Sequence, residues 1–436
     1  MNSNTYFNEI LYQIYPLGFS GALNDSSNNK HSILKVIDWI DHFKKLGITT
    51  ILFNPLFESV HHGYDTIDFY NVDKRLGTNK DLQKVIKTLH KNGIKVMFDG
   101  VFNHVGREFP LFKDVLEKRE ASEYKDFFYI DFNNSNNEDG FWYSDWEGHH
   151  ELVKLNLENY RVREYLFSAV DKWINDYEID ALRLDVAYTI NRDFMRELVN
   201  HVRSIKSDFF FVGEMVNGDY NVLFNEASLD SVTNYECRKG LYSSFNSHNL
   251  FEIAYSLNRQ FGSDNWTLYR GKKLLSFLDN HDVDRIASIL EDERNLPLIY
   301  SLLYAMPGIP CIYYGSEWKQ KGKRTNTSDI ELRPCFDEPL WNDLSDVISK
   351  LSKIRKEYSV LYDGDYTQLY IQNEQYVFKR ENDEDILLYF LNISDNTVDI
   401  HLDIDLSNYK DLLNKKANES PLQLAPKSFK LLYLKK

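Results

Sequence analysis

Eight short apolar runs recur along this chain, at residues 11–15, 50–53, 96–99, 181–185, 210–214, 231–233, 274–278 and 310–314, with amphipathic helical stretches between them. Short runs without period-two alternation suit strands buried on both faces, and helical crossovers between them make such strands parallel. Eight repeats of that unit predict an α/β fold, a (β/α)8 barrel. One connecting helix would place Ile33, Val36, Ile37, Ile40 and Phe43 on a single stripe and end at Gly47. Another is expected from about 79 to 91. Residues 296–315 carry no charge, but Pro297, Pro307, Gly308 and Pro310 interrupt them. They read as a buried helix followed by a buried strand, not as a membrane span.

The alternation stops after the third run. Residues 105–152 hold a helix-like stretch, a polar turn at 133–140 and an aromatic cluster with Phe141, Trp142, Tyr143 and Trp146. An insertion at that point sits at the C-terminal face of a barrel, where active sites lie. It divides the barrel into residues 1–104 and 153–357. From 358 to 436 the pattern changes to period-two segments at 366–371, 376–379, 386–391 and 397–403. These predict a C-terminal antiparallel β domain, a sandwich.

Composition narrows the function classes. A formal net charge of -15 argues against nucleic acid as a partner and against an anionic membrane surface. Cys237, Cys311 and Cys335 are far apart, without metal-ligand spacing, and read as free thiols of a cytoplasmic protein. The first lysine is Lys30, so no basic region of a secretory signal precedes it. Aromatic residues make up 15% of the chain. Their flat faces can stack on sugar rings as well as pack a core. No glycine-rich phosphate loop is present, and no cofactor is expected.

Polar residues at the C-terminal ends of barrel strands are where catalytic groups belong. Asp185 ends the fourth run, Glu214 ends the fifth, and Asp282 follows the seventh. Retaining glycosidases need one carboxylate as nucleophile and a second as acid and base. Strand ends of one barrel can bring such groups together from distant parts of a sequence. Carboxylates are common, however, and each one alone reads more readily as a turn or cap residue than as a catalytic group.

The surrounding residues decide between these readings. Asp99-Gly-Val-Phe-Asn103-His104, Arg183-Leu-Asp185, Phe211-Val-Gly-Glu214 and Asn280-His281-Asp282 occur in this order. Together they resemble the four signature regions of the α-amylase family, glycoside hydrolase family 13. The resemblance implies that Asp185 is the nucleophile, Glu214 the acid/base and Asp282 the stabiliser of the transition state. It also implies that Arg183 orients the nucleophile, that His104, Asn280 and His281 serve the sugar at the cleavage point, and that Asp99 organises the site from below. Tyr64, in Gly63-Tyr64-Asp65, resembles the family's stacking platform.

Val153-Lys154-Leu155-Asn156 resembles the variant found in neopullulanases and cyclomaltodextrinases, which implies a substrate contact for Lys154. The implied reaction is retaining hydrolysis of α-1,4 bonds in maltooligosaccharides or cyclodextrins by a monomer or homodimer. A transglycosylase, or an α-1,6-acting glucosidase, would use the same groups. Tyr188 and Thr189 stand where many α-amylases have a basic pair. Many family members also hold a structural calcium with an asparagine at the position of Asn103, and Asp131, Asp139 and Asp145 offer further oxygens; the chemistry itself requires no metal.

Overall fold

The computed structural model describes residues 6–23, 31–135, 137–414 and 421–436. Leu11–Ile14, Thr50–Phe53, Lys95–Gly100, Ala181–Leu184, Phe210–Gly213, Ser231–Val232, Leu275–Phe277 and Ile309–Tyr313 form one sheet of eight strands. Its paired strands run parallel, and the first pairs with both the second and the eighth. A parallel bridge between Thr233 and Leu275, with Asn234 N–H donating to the Leu275 carbonyl at 2.8 Å, joins the sixth strand to the seventh and closes the ring. The expected (β/α)8 barrel is present. Its strands are buried throughout except for half-buried Lys95, which is why their sequences lack alternation.

Inside the barrel, side chains change character along each strand. Leu11, Leu52, Met97, Ala181 and Val212 belong to one apolar cluster. Side chains of a strand alternate between faces, so two residues onward the same inward face carries Gln13, Asn54, Asp99, Arg183 and Glu214. An apolar floor thus supports a polar layer at the C-terminal end.

The helix Asn79–Lys91 forms where expected. Thr78 caps it, with reciprocal hydrogen bonds to Asp81, and Leu82, Val85, Ile86 and Leu89 are buried. The helix read across residues 33–43 is broken into Ser32–Leu34, Lys35–Asp38 and Ile40–Leu46, with Gly47 at φ 85° closing the last. Residues 296–315 become the buried helix Leu296–Ala305 and the strand Ile309–Tyr313. Among the described residues no helix is long and apolar enough to cross a membrane.

After the third strand, His104–Gly106, His149–Lys154 and Asp145–Trp146 form a small sheet, and Ile130–Asp131 pairs with Trp142–Tyr143. The aromatic cluster splits. Phe141 and Tyr143 pack with Phe112 and Phe128 into the insertion's own core, whereas Trp142 is exposed. Asn136 of the polar turn lies outside the described residues. Near the C-terminus a five-stranded sheet faces the pair Val398–Ile400 and Leu422–Leu424 across Val377, Leu388, Phe390 and Leu432. The strands Lys410–Asp411, Leu422–Leu424 and Ser428–Lys435 were not among those expected from the pattern. Buried Arg380 donates to the Ala305 carbonyl at 2.8 Å and ties this sheet to the barrel.

Candidate active site

Arg183 sits at the centre of the polar layer. Register places it beside Asp99 on the third strand and Val212 on the fifth. Its Nη1 lies 2.6 Å from Asp99 Oδ1 and 3.3 Å from Asp185 Oδ1, and its Nη2 lies 2.7 Å from Glu214 Oε1. All four side chains are buried. One guanidinium therefore gathers three carboxylates that come from different strands, a geometry suited to its planar fork of donors. Burial opposes the charge of Arg183, but Asp99 and Glu214 hold it protonated well above its ordinary range.

Burial, and next the Glu214 carboxylate, push Asp185 well above the usual carboxylate range, against the pull of Arg183. A second negative charge beside Glu214 is thus unfavourable, and Asp185 resists ionisation until a developing positive charge compensates it. Asp282 behaves in the opposite way. Burial opposes its ionisation, but His281 at 3.0 Å, then Arg333 and Arg183, hold its carboxyl well below the usual range. Its side chain remains about 40% exposed, the most open of the three carboxylates. It is therefore a fixed anion facing the cleft.

His281 is held on two sides. Gln13 Nε2 donates to His281 Nδ1 at 3.1 Å, which leaves the ring proton on Nε2, facing Asp282 and the Tyr64 hydroxyl. Tyr64 stacks on His281 with centroids 5.3 Å apart and planes 7° apart. Its hydroxyl donates to Asp99 at 3.0 Å and accepts from Asn54 at 2.9 Å. Burial raises its pKa well above the tyrosine range, so it stays a neutral phenol. Asn280 Nδ2 donates to the Tyr235 hydroxyl at 3.0 Å, and Tyr235 reaches Glu214 Oε1 at 3.4 Å.

His104 begins the insertion's sheet. Burial lowers its pKa to about 4, so it is neutral near pH 7. Its Nε2 is buried without a hydrogen-bond partner, and Trp146 lies 6.0 Å away, centroid to centroid. An unpartnered buried nitrogen beside these groups is what a sugar hydroxyl would satisfy.

Nine of the ten expected site residues thus gather in one network at the top of the barrel. Lys154 does not join it. It has no contact with the three carboxylates and lines a separate cavity of the insertion with Tyr129, Trp142 and Ser144. The reason is its place in the sheet: Lys154 sits one strand further from the carboxylates than His104, between His104 and Ser144. Gln13, Asn54, Tyr235 and Arg333 belong to the network but were not anticipated. Gln13 and Asn54 carried a signal, being polar residues at the inward end of apolar runs. Arg333 carried none, since its loop follows the eighth strand by many residues.

The oxygens considered for calcium have protein partners among the described residues. Asp139 pairs with Arg107, Asp145 pairs with His150, and Asp131 accepts from Asn133 and Asn134. Asn103 Oδ1 accepts from Thr189. Among the described residues no group of three or more His, Cys, Asp or Glu side chains is placed to hold a metal.

The catalytic-domain model of the α-amylase family matches residues 13–346. The chain belongs to the α-amylase family. It is a glycoside hydrolase of that family. It is 32% identical over 420 residues to a maltogenic alpha-amylase of Bacillus acidopullulyticus, covering 91% of this chain and 70% of that one. It is 31% identical over 412 residues to a cyclomaltodextrinase of Bacillus sp, covering 88% and 72%. Among solved structures, a cyclomaltodextrinase superposes with a TM-score of 0.87 at 26% identity, over 99% of this chain and 79% of that one. An α-amylase of Geobacillus thermoleovorans, complexed with acarbose, superposes with a TM-score of 0.83 at 27% identity, over 99% of both.

Proposed function

We propose that this α-amylase family member is a retaining hydrolase of α-1,4-glucosidic bonds in maltooligosaccharides or cyclodextrins. The observation that carries the reading is the single guanidinium of Arg183 shared by Asp99, Asp185 and Glu214. Such an arrangement lets one carboxylate attack while its neighbour holds the proton. Glu214 protonates the glycosidic oxygen as Asp185 attacks the anomeric carbon, and the bond to the leaving sugar breaks. Water, deprotonated by Glu214 in its second role, then releases the glucosyl–Asp185 ester. The Asp282 anion faces the positive charge that develops on the ring, a place where a fixed charge in a dry site counts most. His104 and His281 bind hydroxyls of the same sugar, and Tyr64 supplies its platform.

The names of the relatives support the substrate class, maltogenic alpha-amylase and cyclomaltodextrinase among them. A cytoplasmic location accords with the free cysteines and with a relative named intracellular maltogenic amylase, from Bacillus subtilis. The test is the product profile and anomeric form on maltotriose, cyclodextrin, pullulan and panose. Proton NMR should show the α-anomer first; initial β-anomer would overturn retention. Asp185→Asn should abolish turnover while the protein stays folded. Products longer than the substrate would move the enzyme to the transglycosylases, and cleavage confined to panose would make it α-1,6-acting.

A further inference from the structure

A row of side chains leads from the active site across the insertion. His104 lies opposite Lys154 in one antiparallel ladder. Lys154 N–H donates to the Ser144 carbonyl at 2.9 Å, and Ser144 N–H donates to the Tyr129 carbonyl at 3.0 Å. Both bonds continue the neighbouring registers, Asp145 opposite Val153 and Ile130 opposite Tyr143. Residues directly opposite in antiparallel strands project from the same face. His104, Lys154, Ser144 and Tyr129 therefore form one rung, and Trp142, two residues from Ser144, shares its face. With strands 4.7–4.9 Å apart, Tyr129 stands about 14 Å from His104 along the rung.

The outer end of this rung opens into a shallow surface hollow of about 530 Å³ lined by Phe128, Tyr129, Ile130, Trp142, Ser144 and Lys154. Folding alone does not account for its chemistry. Trp142 is 37% exposed, while Phe141 and Tyr143 on either side are fully buried. Among the described residues Lys154 Nζ pairs with no carboxylate, in a chain whose net charge is -15. An open indole face, a free ammonium and a hydroxyl in one concavity are the groups that hold a sugar: a flat ring for its C–H face and donors for its hydroxyls.

We infer that this cavity is a remote glucosyl subsite. It takes the part of a long α-glucan chain that lies beyond the sugars at the carboxylates. Trp142 is its platform, and Lys154 and Ser144 are its donors. The inference rests on the α-glucan reading above and adds a preference for longer chains. Occupancy here supplies binding energy far from the bond that breaks, so its loss should appear in KM for long substrates.

The experiment compares kcat/KM for maltotriose and maltoheptaose in the wild type, Trp142→Ala, Trp142→Phe and Lys154→Met. The wild type should prefer maltoheptaose. Trp142→Ala should reduce that preference at least fivefold, through KM, and Lys154→Met should reduce it less. Trp142→Phe, which keeps a ring, should restore most of it. An unchanged preference in Trp142→Ala, or an equal fall with both substrates, would overturn the inference. So would equal losses in the Phe and Ala variants, or a wild type indifferent to length. A wild type that cleaves neither sugar would instead overturn the α-glucan reading on which the inference rests.

Discussion

The backbone N–H of Val186 donates to Glu214 Oε2 at 3.0 Å. Val186 directly follows Asp185 and sits at φ 41°, in the left-handed region that a β-branched residue avoids at a cost of about 1–2 kcal/mol. The turn that ends the fourth strand is thus held in a strained form that aims its amide at the fifth strand's carboxylate. Strain kept at such a point is part of how a site is set.

Glu214→Gln tests what that amide holds. The glutamine carbonyl can still accept from Val186, but its amide N–H2 then faces the Arg183 guanidinium in place of Oε1, so the fold should be kept while the melting temperature falls. Turnover of maltotriose should fall about 10²–10⁴-fold, the range for losing a general acid. A substrate with a 4-nitrophenyl leaving group needs little protonation, and its first cleavage step should suffer far less. Equal losses on both substrates would remove Glu214 from the proton-donor role.

Much of this site was legible in the sequence because barrel geometry is repetitive. Each inward position two residues past an apolar one lands in the same polar layer, so Asp99, Arg183 and Glu214 are readable from where their runs end. Gln13 and Asn54 obey that rule equally and were passed over for want of a charge. Lys154 was hard to place for a different reason. Its motif implied a contact, but the destination of its side chain depends on the pairing of His149–Lys154 with two other strands. Local sequence says little about register across an insertion. The break at Trp39 was equally hidden, because the apolar stripe continues through it.

Thiol titration offers a separate check on packing. Cys237 and Cys311 are fully buried, and burial pushes both thiols well above the usual range. Cys335 is exposed. Reagents attack the accessible thiolate, so the native protein should react at Cys335 alone. After denaturation in guanidinium all three cysteines should react. Fast native labelling of Cys311 would contradict the barrel interior described here.

Asp180, just before the fourth strand, links three elements. It accepts from His90 Nε2 at 2.9 Å, Lys206 Nζ at 2.7 Å and Val96 N–H at 2.9 Å. Burial opposes its ionisation, yet these donors outweigh it and lower the pKa to about 2. A folded pKa below the unfolded value stabilises the native state above the unfolded pKa, and that stability is lost as pH falls toward the folded one. Asp180→Asn should therefore cost about 2 kcal/mol at pH 7. In urea titrations the gap to the wild type should narrow as pH falls from about 4 toward 2. A gap that stays constant over that window would show that charge is not its source.

Arg183→Met puts the central relationship to the test. The substitution keeps much of the side chain's length but leaves Asp99, Asp185 and Glu214 buried without their shared cation. Removing one partner of a buried ionic cluster costs about 3–5 kcal/mol, because the remaining charge has no compensation. The sign of the pH effect follows. Burial and the Glu214 carboxylate already raise Asp185 against the pull of Arg183, so removing the guanidinium should raise its folded pKa further above the unfolded value. A group raised in this way favours the native state at low pH and opposes it as pH rises through the folded value. The variant should thus be most deficient near pH 7 and recover part of its stability by pH 5, relative to the wild type in urea. Activity should be lost at both values, since Asp185 and Glu214 would lose the guanidinium that fixes their orientation. A deficit of the same size at pH 5 and pH 7 would mean that Arg183 acts through packing alone.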